Sequence, residues 1–478
     1  MQIRQFFVEH IAHSSYLLGW SGGCAIIDPA RDADMYLDAA ADLGLPIRHV
    51  LETHLHADFV SGHTDLAEAA GASIFAPAGG FCSFDHIPVK GGDRFDLGDL
   101  RVDVIDTPGH TPEHVSYVIT DTSRGGSPSA VFCGDTLFVG DVGRPDLFPG
   151  RAEELASRLF ESLHGGILAL PDHCIVYPAH GAGSLCGSAI GSMRWSSVGY
   201  ERVSNPLLSL DRRSFVRRLT GEMPPVPDHF ARCSALNAAG AVPVRALPDP
   251  LPMNPREFRK RIENGAAVLD ARRYESFGGM HVPCSINIDI TGNFPVYSGW
   301  LLPPDRDILL VADSPGTART AVSWLRKVGL DRTVGFLEGG LQSWAASGMR
   351  VGKLSQMNAA EALDELGSGR LFALVDTRPV RERAGSEIPG AIAIEVQHLV
   401  HPDGLLDSGT PTAVLCSSGR RSSIGASLLL AAGFERVFNV AGGFSALKRL
   451  PGFEAADPAD GGPPEGSGTG GIEEGGAP

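Results

Sequence analysis

The chain has 478 residues, of which 43% are hydrophobic and 20% are charged, and its formal net charge is −16. This length predicts about three domains of ordinary soluble globular composition. The acidic balance argues against nucleic acid or an anionic membrane surface as the main partner, because both repel negative charge. An anionic substrate would therefore need a locally basic pocket.

The N-terminal stretch MQIRQFFVEHIAHSSYLLGW interrupts its apolar run with one glutamate and two histidines, which is atypical of a signal peptide. No later segment is apolar for long enough to predict a membrane span. The eight cysteines are scattered without a CxxC pair, which favours reduced thiols and a cytoplasmic location. The sequence leaves open whether the chain forms a homo-oligomer.

Residues 1–245 alternate short apolar runs with polar turns. Runs such as CAIIDPA, HVLETH, RVDVIDTPGH and SAVFCGDTL are typical of buried strands that end in polar residues. DADMYLDAAADLG and AEELASRLFESLHGG instead have helical spacing. The pattern predicts a layered α/β domain whose strand ends carry polar side chains on one rim. The proline-rich residues 239–255 predict a linker.

Residues 246–352 and 353–456 contain the same three segments in the same order, at a spacing of about a hundred residues. AAVLDARRYESFGG matches FALVDTRPVRERAG, ILLVADSPGTARTA matches TAVLCSSGRRSSIG, and FLEGGLQSW matches NVAGGFSAL. This predicts two duplicated α/β domains. The Gly/Pro-rich, acidic residues 457–478 are predicted to be disordered.

Four polar clusters follow strand-like runs in the N-terminal domain. They are His54-Leu-His56-Ala-Asp58, TPGH ending at His110, CGD ending at Asp135, and PAHG containing His180. Imidazole nitrogens and carboxylate oxygens are the ligands that intermediate divalent metals prefer. A single histidine is more often a core or turn residue, but four such clusters in one domain predict a metal site.

These clusters resemble the metallo-β-lactamase superfamily, which implies an αββα sandwich with a metal site at one edge. Hydrolases of that superfamily, including glyoxalase II-like thioesterases, hold two metals with H-x-H-x-D-H. Phe59 stands where that motif has its last histidine, so a ligand of the second metal is missing. A dinuclear zinc thioester hydrolase remains the alternative, supported by His56, Asp58 and His180. His63 could replace the missing ligand.

The remaining residues resemble the persulfide dioxygenase branch of the superfamily. That resemblance implies one Fe(II) per chain, held by His54, His110 and Asp135. Such a triad leaves coordination positions open for O2 and a substrate sulfur, whereas zinc lacks the redox chemistry to activate O2. Outer residues would orient the ligands or move protons. These outer residues are His56, Asp58 and His180.

The same branch implies substrate-binding residues. Arg144 lies in GDVGRPDL, where the branch has an arginine for the carboxylates of a thiol substrate, and an ion pair with Asp146 is the alternative. Val142 stands where glutathione-using relatives have a cysteine, which leaves the identity of the thiol open. SSVGYERVSNP resembles the C-terminal helical segment of the branch, so Tyr200 and Arg202 are expected to line the substrate mouth.

The second repeat contains CSSGRRS directly after the apolar run TAVL. A cysteine between a buried strand and a helix start is surrounded by backbone N–H groups and the positive end of the helix dipole, which stabilise an anionic sulfur. Gly419 allows the tight loop, and Arg420 and Arg421 add positive charge. The loop resembles the rhodanese active loop C-x-x-G-x-R, which implies a persulfide on Cys416. A buried, inert Cys416 is the alternative.

The first repeat lacks this chemistry. Its loop reads DSPGTAR, with Asp313 at the cysteine position and Ala318 at the arginine position. A carboxylate cannot form a persulfide, and Cys284 lies in a different segment. This repeat is expected to be an inactive rhodanese that serves as a spacer or docking platform.

The whole arrangement resembles bacterial fusion proteins of sulfide detoxification. The resemblance implies that a thiol persulfide and O2 give sulfite at the metal site. Cys416 would then transfer a sulfane sulfur to sulfite, giving thiosulfate. A non-enzymatic sulfur carrier or scaffold is the second alternative, in which the repeat with Asp313 is the working interface and Cys416 only hands over sulfur.

Overall fold

The computed structural model describes residues 1–221, 223, 225–451, 453 and 455. The chain divides into two compact units. The first comprises Met1–Arg273 and Ile288–Val351, and the second comprises Tyr274–Asn287 and the chain from Gly352 onward. Of the first repeat, residues 246–273 and 288–351 fall in the first unit, and residues 274–287 fall in the second. The predicted disordered tail, residues 457–478, lies outside the described residues.

Two six-stranded sheets, each with parallel and antiparallel pairs, form the N-terminal part of the first unit. The first sheet contains, in spatial order, Gln2–Val8, His13–Trp20, Gly23–Ile27, Ile47–Leu51, Ser73–Pro77 and Ile87–Val89. The second sheet contains Ser196–Ser197, Ile175–Pro178, Ala130–Gly134, Val115–Asp121, Leu100–Asp106 and Arg94–Leu97. A short antiparallel ribbon pairs Leu137–Phe138 with Asp141–Val142.

The inner faces of the two sheets share one apolar core. Leu18 and Ile27 of the first sheet pack with Val102 and Tyr117 of the second. Every residue of strand His13–Trp20 is buried. Because side chains alternate along a strand, both faces of the first sheet must be covered at this strand.

Helices cover the outer faces of the sheets. Ala33–Asp42 and His63–Ala70 pack on the first sheet, and Ala152–Glu161 and Arg212–Gly221 pack on the second. This is an αββα sandwich, so the predicted fold class is confirmed. The two further helices of this part are Val198–Ser204 and His229–Ala239. Short helical turns lie at Glu9–Ile11, Ala78–Gly80, Ser162–Gly166, Ile167–Ala169, Pro206–Ser209 and Val244–Ala246.

The first repeat contributes a parallel sheet to the first unit. Its strands are, in spatial order, Leu251–Met253, Thr333–Leu337, Ile308–Val311 and Ala267–Asp270. Its helices in this unit are Pro255–Glu263, Phe294–Leu301, Pro315–Lys327 and Gly340–Ala346. A buried ion pair joins Asp270 to Arg272 at 2.6 Å.

The second unit contains a similar parallel sheet. Its strands are, in spatial order, Ser355–Met357, Val437–Val440, Thr412–Leu415, Ala373–Asp376 and Ile392–Ala393, and Ile286–Asn287 also belongs to this unit. Its helical segments are Tyr274–Gly279, Ala359–Gly367, Val380–Arg383, Val396–Val400, Arg420–Ala431 and Gly443–Leu447. Asp376 and Arg378 form a buried pair at 2.7 Å, at the position that corresponds to Asp270 and Arg272. Among the described residues, no helix has the length and apolar character needed to cross a membrane.

Candidate metal centre

Two histidines and an aspartate meet at one rim of the sandwich, each just after a strand of the sheets. His110 Nε2 lies 3.3 Å from Asp135 Oδ2, and His54 Nε2 lies 3.9 Å from the same oxygen. All three side chains are buried. The structure thus brings together the three residues that the sequence predicts as metal ligands.

Hydrogen bonds orient both imidazoles. Thr53 donates its hydroxyl hydrogen to Asp28 Oδ2 at 2.9 Å, so its oxygen accepts from His54 Nδ1, also at 2.9 Å. His110 Nδ1 donates to the carbonyl oxygen of Arg144 at 2.9 Å. A proton on each Nδ1 leaves a lone pair on each Nε2, which is the atom that faces Asp135.

One oxygen of Asp135 contacts a third histidine, and the other faces the two histidines of the triad. His180 Nδ1 lies 2.7 Å from Oδ1, which leaves Oδ2 to face His54 and His110. Oδ2 and the two Nε2 atoms are buried and have no hydrogen-bond partner. Unpartnered buried polar atoms are costly, and these three lie within 4.8 Å of one another. The triad therefore fits a metal ion.

The protonation states of the triad also suit a metal. Burial lowers the pKa of His54 well below its ordinary value, and it lowers the pKa of His110 as well. Burial opposes ionisation of Asp135, but interactions with the neighbouring imidazoles, of which His180 contributes most, outweigh burial and hold the pKa of Asp135 well below its ordinary value. Neutral imidazole and ionised carboxylate are the forms that bind metals.

The ring of His56 lies 4.1 Å from that of His54, but its Nε2 faces two carboxylates outside the triad. Its Nε2 is 3.3 Å from Asp28 Oδ1 and 3.9 Å from Glu52 Oε2. Burial lowers the pKa of His56, but the two carboxylates outweigh burial and raise it overall. His63 Nδ1 lies 3.3 Å from Glu52 Oε1. His63 therefore shares a carboxylate with His56 and is not placed to replace the missing ligand of a second metal.

Asp58 and His180 are paired with each other beside the triad. His180 Nε2 lies 2.8 Å from Asp58 Oδ2, so this imidazole bridges Asp58 and Asp135. Burial lowers the pKa of His180, but the two carboxylates raise it well above its ordinary value. The sulfur of Cys186 completes a buried group with Asp58 and His180, in which the ligand atoms lie within 4.8 Å of one another.

Phe59 places an apolar ring where the hydrolase motif has a histidine. Its side chain is fully buried. The ring centroid lies 4.1 Å from that of His13 and 4.5 Å from that of His56. A phenyl ring offers no ligand atom, so position 59 contributes packing and no metal ligand.

The sequence reasoning missed His114. Its Nε2 accepts the backbone N–H of Asp135 at 3.0 Å, and its ring stacks on His54 at 4.7 Å. Gly134 has a φ of +50°, and a Cβ there would collide with Thr53 and His114. The signal was present, because TPGHTPEH carries a second histidine four residues after His110.

Arg144 is engaged in an ion pair. Its Nε and Nη2 donate to the two carboxylate oxygens of Asp146, both at 2.7 Å, and Nη1 donates to the carbonyl oxygen of Leu185 at 3.0 Å. The side chain is fully buried. The structure therefore contains the ion pair that the sequence left as the alternative to substrate binding.

Tyr200 and Arg202 lie away from the triad, in contrast to the expectation from the sequence. Helix Val198–Ser204 begins where Val198 N–H donates to the carbonyl oxygen of Cys174, before strand Ile175–Pro178 starts, whereas His180 follows the end of that strand. The Tyr200 side chain is exposed, and Arg202 pairs with Asp172 at 3.1 Å. Successive helical residues point to different faces, and it is the buried Glu201 that points inward, accepting the N–H of Gly140 at 2.9 Å.

A second candidate site lies in the second unit, at the loop after strand Thr412–Leu415. Cys416 is buried there. Its sulfur accepts the backbone N–H of Gly419 at 3.1 Å and the hydroxyl of Ser422 at 3.4 Å. Gly419 has a φ of +106°, which favours glycine, and helix Arg420–Ala431 follows directly. Hydrogen-bond donors that point at the Cys416 sulfur, together with the positive end of the helix dipole, would stabilise negative charge on that sulfur.

The loop arginine is held by a carboxylate. Arg421 Nη1 and Nη2 donate to the two oxygens of Glu382 at 2.8 and 2.6 Å. Ser417 joins this group, since it accepts from Arg421 Nη2 at 2.9 Å and donates to Glu382 at 2.7 Å. Arg420, at the first position of the helix, is exposed.

The corresponding loop of the first repeat carries no sulfur nucleophile. Asp313 is exposed, and Ser314 accepts the N–H of Thr317 at 3.1 Å as the N-cap of helix Pro315–Lys327. Ala318 is buried and offers no charge. The first repeat therefore has the same loop and helix start as the second, but it lacks the cysteine and the arginine.

Comparisons with known proteins give two family matches. The metallo-beta-lactamase superfamily matches residues 10–180. The rhodanese-like domain matches twice, over residues 254–347 and 358–450, which confirms the internal repeat. Both matches agree with the order of the folds described above.

Relatives of two activities resemble the N-terminal domain. Hydroxyacylglutathione hydrolase of Rhodospirillum rubrum is 38% identical over 162 residues, which cover 34% of this chain and 58% of that protein. Persulfide dioxygenase ETHE1 of Bos taurus is 32% identical over 224 residues, which cover 45% of this chain and 79% of that protein. Sequence similarity thus does not choose between the two activities.

One solved structure covers more of the chain. A metallo-beta-lactamase from Staphylococcus aureus is 33% identical with a TM-score of 0.64, and the match covers 70% of this chain and 98% of that one. The chain therefore belongs to the metallo-beta-lactamase superfamily and carries two rhodanese-like domains after its metallo-beta-lactamase domain.

Proposed function

We propose that this protein oxidises a low-molecular-weight thiol persulfide with O2 to sulfite at one ferrous ion, and that Cys416 transfers sulfane sulfur to sulfite. The observation that carries the first activity is the composition of the rim. Three buried ligand atoms converge in the triad, while Phe59 fills the place of a second-metal ligand. Similarity to persulfide dioxygenase ETHE1 over 79% of its length supports the same activity.

Iron is the metal that this activity requires. Bound by His54, His110 and Asp135, it would supply the redox chemistry for O2, which zinc lacks. The residues around the triad hold the ligands in place, as the hydrogen bonds of Thr53 to His54 and of His114 to the Asp135 backbone illustrate. His180, between two carboxylates, holds a proton beside the triad.

The overall oxidation consumes R–S–SH, O2 and water, and it yields R–SH, sulfite and two protons. In the transfer, the Cys416 thiolate attacks the outer sulfur of a second persulfide, and R–SH leaves. Sulfite then attacks the outer sulfur on Cys416, the sulfur–sulfur bond to the protein breaks, and thiosulfate leaves with the thiolate restored. Gly419 N–H and the Ser422 hydroxyl would stabilise the anionic sulfur at each stage.

An oxygen electrode tests the first activity with anaerobically iron-loaded protein. Persulfides of glutathione, coenzyme A and other thiols are the substrates. We expect O2 uptake with at least one of them, loss of uptake in His110→Ala, and full uptake in Cys416→Ser. Absence of uptake with every persulfide would rule the proposal out.

A zinc thioester hydrolase is the second candidate function. Its support is the 38% identity to hydroxyacylglutathione hydrolase together with the retained Asp58 and His180. Two zinc ions per chain and hydrolysis of an acyl-glutathione thioester would favour it. One metal ion per chain and no hydrolysis would favour the dioxygenase.

A further inference from the structure

We propose that the first rhodanese-like repeat, which has lost its cysteine, positions the metal loop of the N-terminal domain. The metal loop comprises residues 52–63, and the positioning residue is Trp324 of helix Pro315–Lys327. Both segments belong to the first compact unit. The inference rests on the metal site proposed above, and it gives the inactive repeat a role in that site.

Trp324 packs against an apolar cluster that includes Phe59 of the metal loop. Its indole contacts an apolar cluster formed by Val8, Ile11, Ala30 and Phe59. The indole also meets the ring of His10 edge-on, at 4.8 Å and 86°. An aromatic ring from the repeat therefore closes the cluster that surrounds Phe59.

Phe59 transmits this contact towards the metal ligands. Its ring lies 4.5 Å from the ring of His56, and the ring of His56 lies 4.1 Å from that of His54. Interiors are closely packed, so a shift of one ring displaces its neighbours. The cluster that Trp324 packs against is thus connected through Phe59 and His56 to the ligand His54.

A backbone hydrogen bond joins the same two segments. The N–H of Val60 donates to the carbonyl oxygen of Lys327 at 2.7 Å. Lys327 is the last residue of its helix, and the last carbonyl groups of a helix have no partner within the helix. The Val60 N–H of the metal loop supplies the missing donor, so this hydrogen bond satisfies a backbone group of the helix end and one of the loop.

Buried charges fix the helix against the N-terminal domain. Lys327 Nζ lies 3.3 Å from Asp32 Oδ2 and 3.4 Å from the carbonyl oxygen of Arg31. The guanidinium of Arg31, fully buried, donates to Asp331 at 2.6 and 3.0 Å and to the carbonyl oxygen of Arg326 at 2.9 Å. Each pair joins a buried cation to a partly exposed carboxylate, and breaking it would leave a buried positive charge without its partner.

The N-terminal domain supports the loop from its own side through Asn237. This side chain accepts the N–H of Ser61 at 2.8 Å and donates to the carbonyl oxygens of His56 and Phe59 at 2.8 and 2.9 Å. Asn237 thus holds the loop backbone, while Trp324 packs against the cluster that contains the Phe59 ring. A histidine at position 59 would place a polar ring in the apolar cluster. Phe59 therefore has two effects: it removes a ligand of a second metal, and it contributes to the apolar surface on which the repeat packs.

The test measures hydrogen–deuterium exchange of the metal loop in the full-length, metal-free protein. Trp324→Leu should raise the exchange rate of residues 52–63 and leave strand Leu100–Asp106 unchanged. The same variant should weaken binding of cobalt(II), followed by its visible spectrum, by about tenfold or more, as loss of an outer contact does at other metal sites. Trp324→Phe should restore both properties. Thr320→Ala, an exposed position on the same helix, is the matched control.

Equal exchange of the loop in wild type and a folded Trp324→Leu variant would overturn the proposal. Phe59→Leu provides a reciprocal measurement if Trp324→Leu does not fold. It should raise exchange in the segment around Trp324, and no change there would also overturn the proposal. Failure of the wild type to bind cobalt(II) would contradict the proposed metal site instead, since the exchange measurement needs no metal.

Discussion

His180 Nε2 lies 2.8 Å from Asp58 Oδ2, in a buried pair next to the metal triad. In a dinuclear site of this superfamily, the aspartate of H-x-H-x-D-H would bind the second metal. Here its carboxylate is matched by an imidazole whose pKa is raised, although burial alone would lower it. The aspartate of the motif is therefore already paired with a cationic imidazole, which favours one metal ion over two.

The first prediction is that the protein binds one metal ion per chain and that His110→Ala binds almost none. His110→Ala removes one of the three protein ligands, and without the metal Asp135 Oδ2 stays buried with no partner. Elemental analysis of protein purified without added metal measures the stoichiometry. His173→Ala, on an exposed histidine, is the control and should retain the metal. Two ions per wild-type chain would contradict the expectation.

Much of the triad could be predicted because its residues follow strands. Strand ends of a layered α/β domain meet at one rim, so the polar clusters after the strands are expected to lie together. The choice of His54, His110 and Asp135 as ligands rests on the resemblance to the persulfide dioxygenase branch. His114 shows the limit of that reasoning. It is a histidine of the same motif that orients a ligand instead of binding the metal, and only the hydrogen bond to the Asp135 backbone distinguishes the two roles.

Contacts between distant segments could not be predicted. Phe59 and Trp324 are far apart in sequence and lie in domains of different families, and no periodic pattern indicates that they meet. The sequence also does not show which face of the short helix Val198–Ser204 points inward. In the structure the inward residue is Glu201, and Arg202 points to another face.

The second prediction concerns Arg144. Arg144→Met should lower the free energy of unfolding by about 3 kcal/mol, because it leaves Asp146 and a carbonyl oxygen without their buried partner. The KM for persulfide should stay nearly constant, because the guanidinium is occupied by Asp146. Urea denaturation and steady-state kinetics measure the two quantities. Arg202→Met, which removes an exposed ion pair, should change stability by less than about 1 kcal/mol. A large rise in KM at unchanged stability would show that Arg144 binds substrate.

The third prediction is a loss of stability in mild acid that depends on His229. Burial, together with the charge of Arg232, lowers the pKa of His229 to about 4 in the folded protein, whereas an unfolded histidine has a pKa of about 6.5. Between pH 4 and pH 6.5, His229 binds a proton in the unfolded chain but not in the folded chain. The contribution of His229 is therefore fully present above pH 6.5 and is lost as the pH falls towards 4, at a slope of at most about 1.4 kcal/mol per pH unit.

His229→Phe should remove this component of the slope, since a phenyl ring takes up no proton in either state. Unfolding free energies of wild type and variant, compared at pH 7 and pH 5, measure the difference. His173→Asn is the control on an exposed histidine. Parallel pH profiles for wild type and His229→Phe would contradict the expectation.

The last prediction concerns the carboxylate that holds the loop arginine of the second unit. Burial raises the pKa of Glu382, but hydrogen bonds from Arg421 and Ser417 outweigh burial and lower it overall, so Glu382 is ionised at neutral pH. In the proposed transfer, this negative charge would compete with sulfite for Arg421. Glu382→Gln should therefore raise kcat/KM for sulfite about fivefold, because unit charges a few ångströms apart near water interact by about 1 kcal/mol.

Sulfur acceptors and sulfur donors of different charge distinguish an electrostatic effect of Glu382 from a general change in the loop. Glu382→Gln should favour sulfite and thiosulfate and should disfavour a cationic donor such as the persulfide of cysteamine. Glu435→Gln, on an exposed carboxylate, is the matched control, and Cys416→Ser gives the background without sulfur transfer. A fall in kcat/KM for every substrate would mean that Glu382 holds Arg421 in its working position. The ion pair would then be part of the catalytic loop and not a competitor of its anionic substrate.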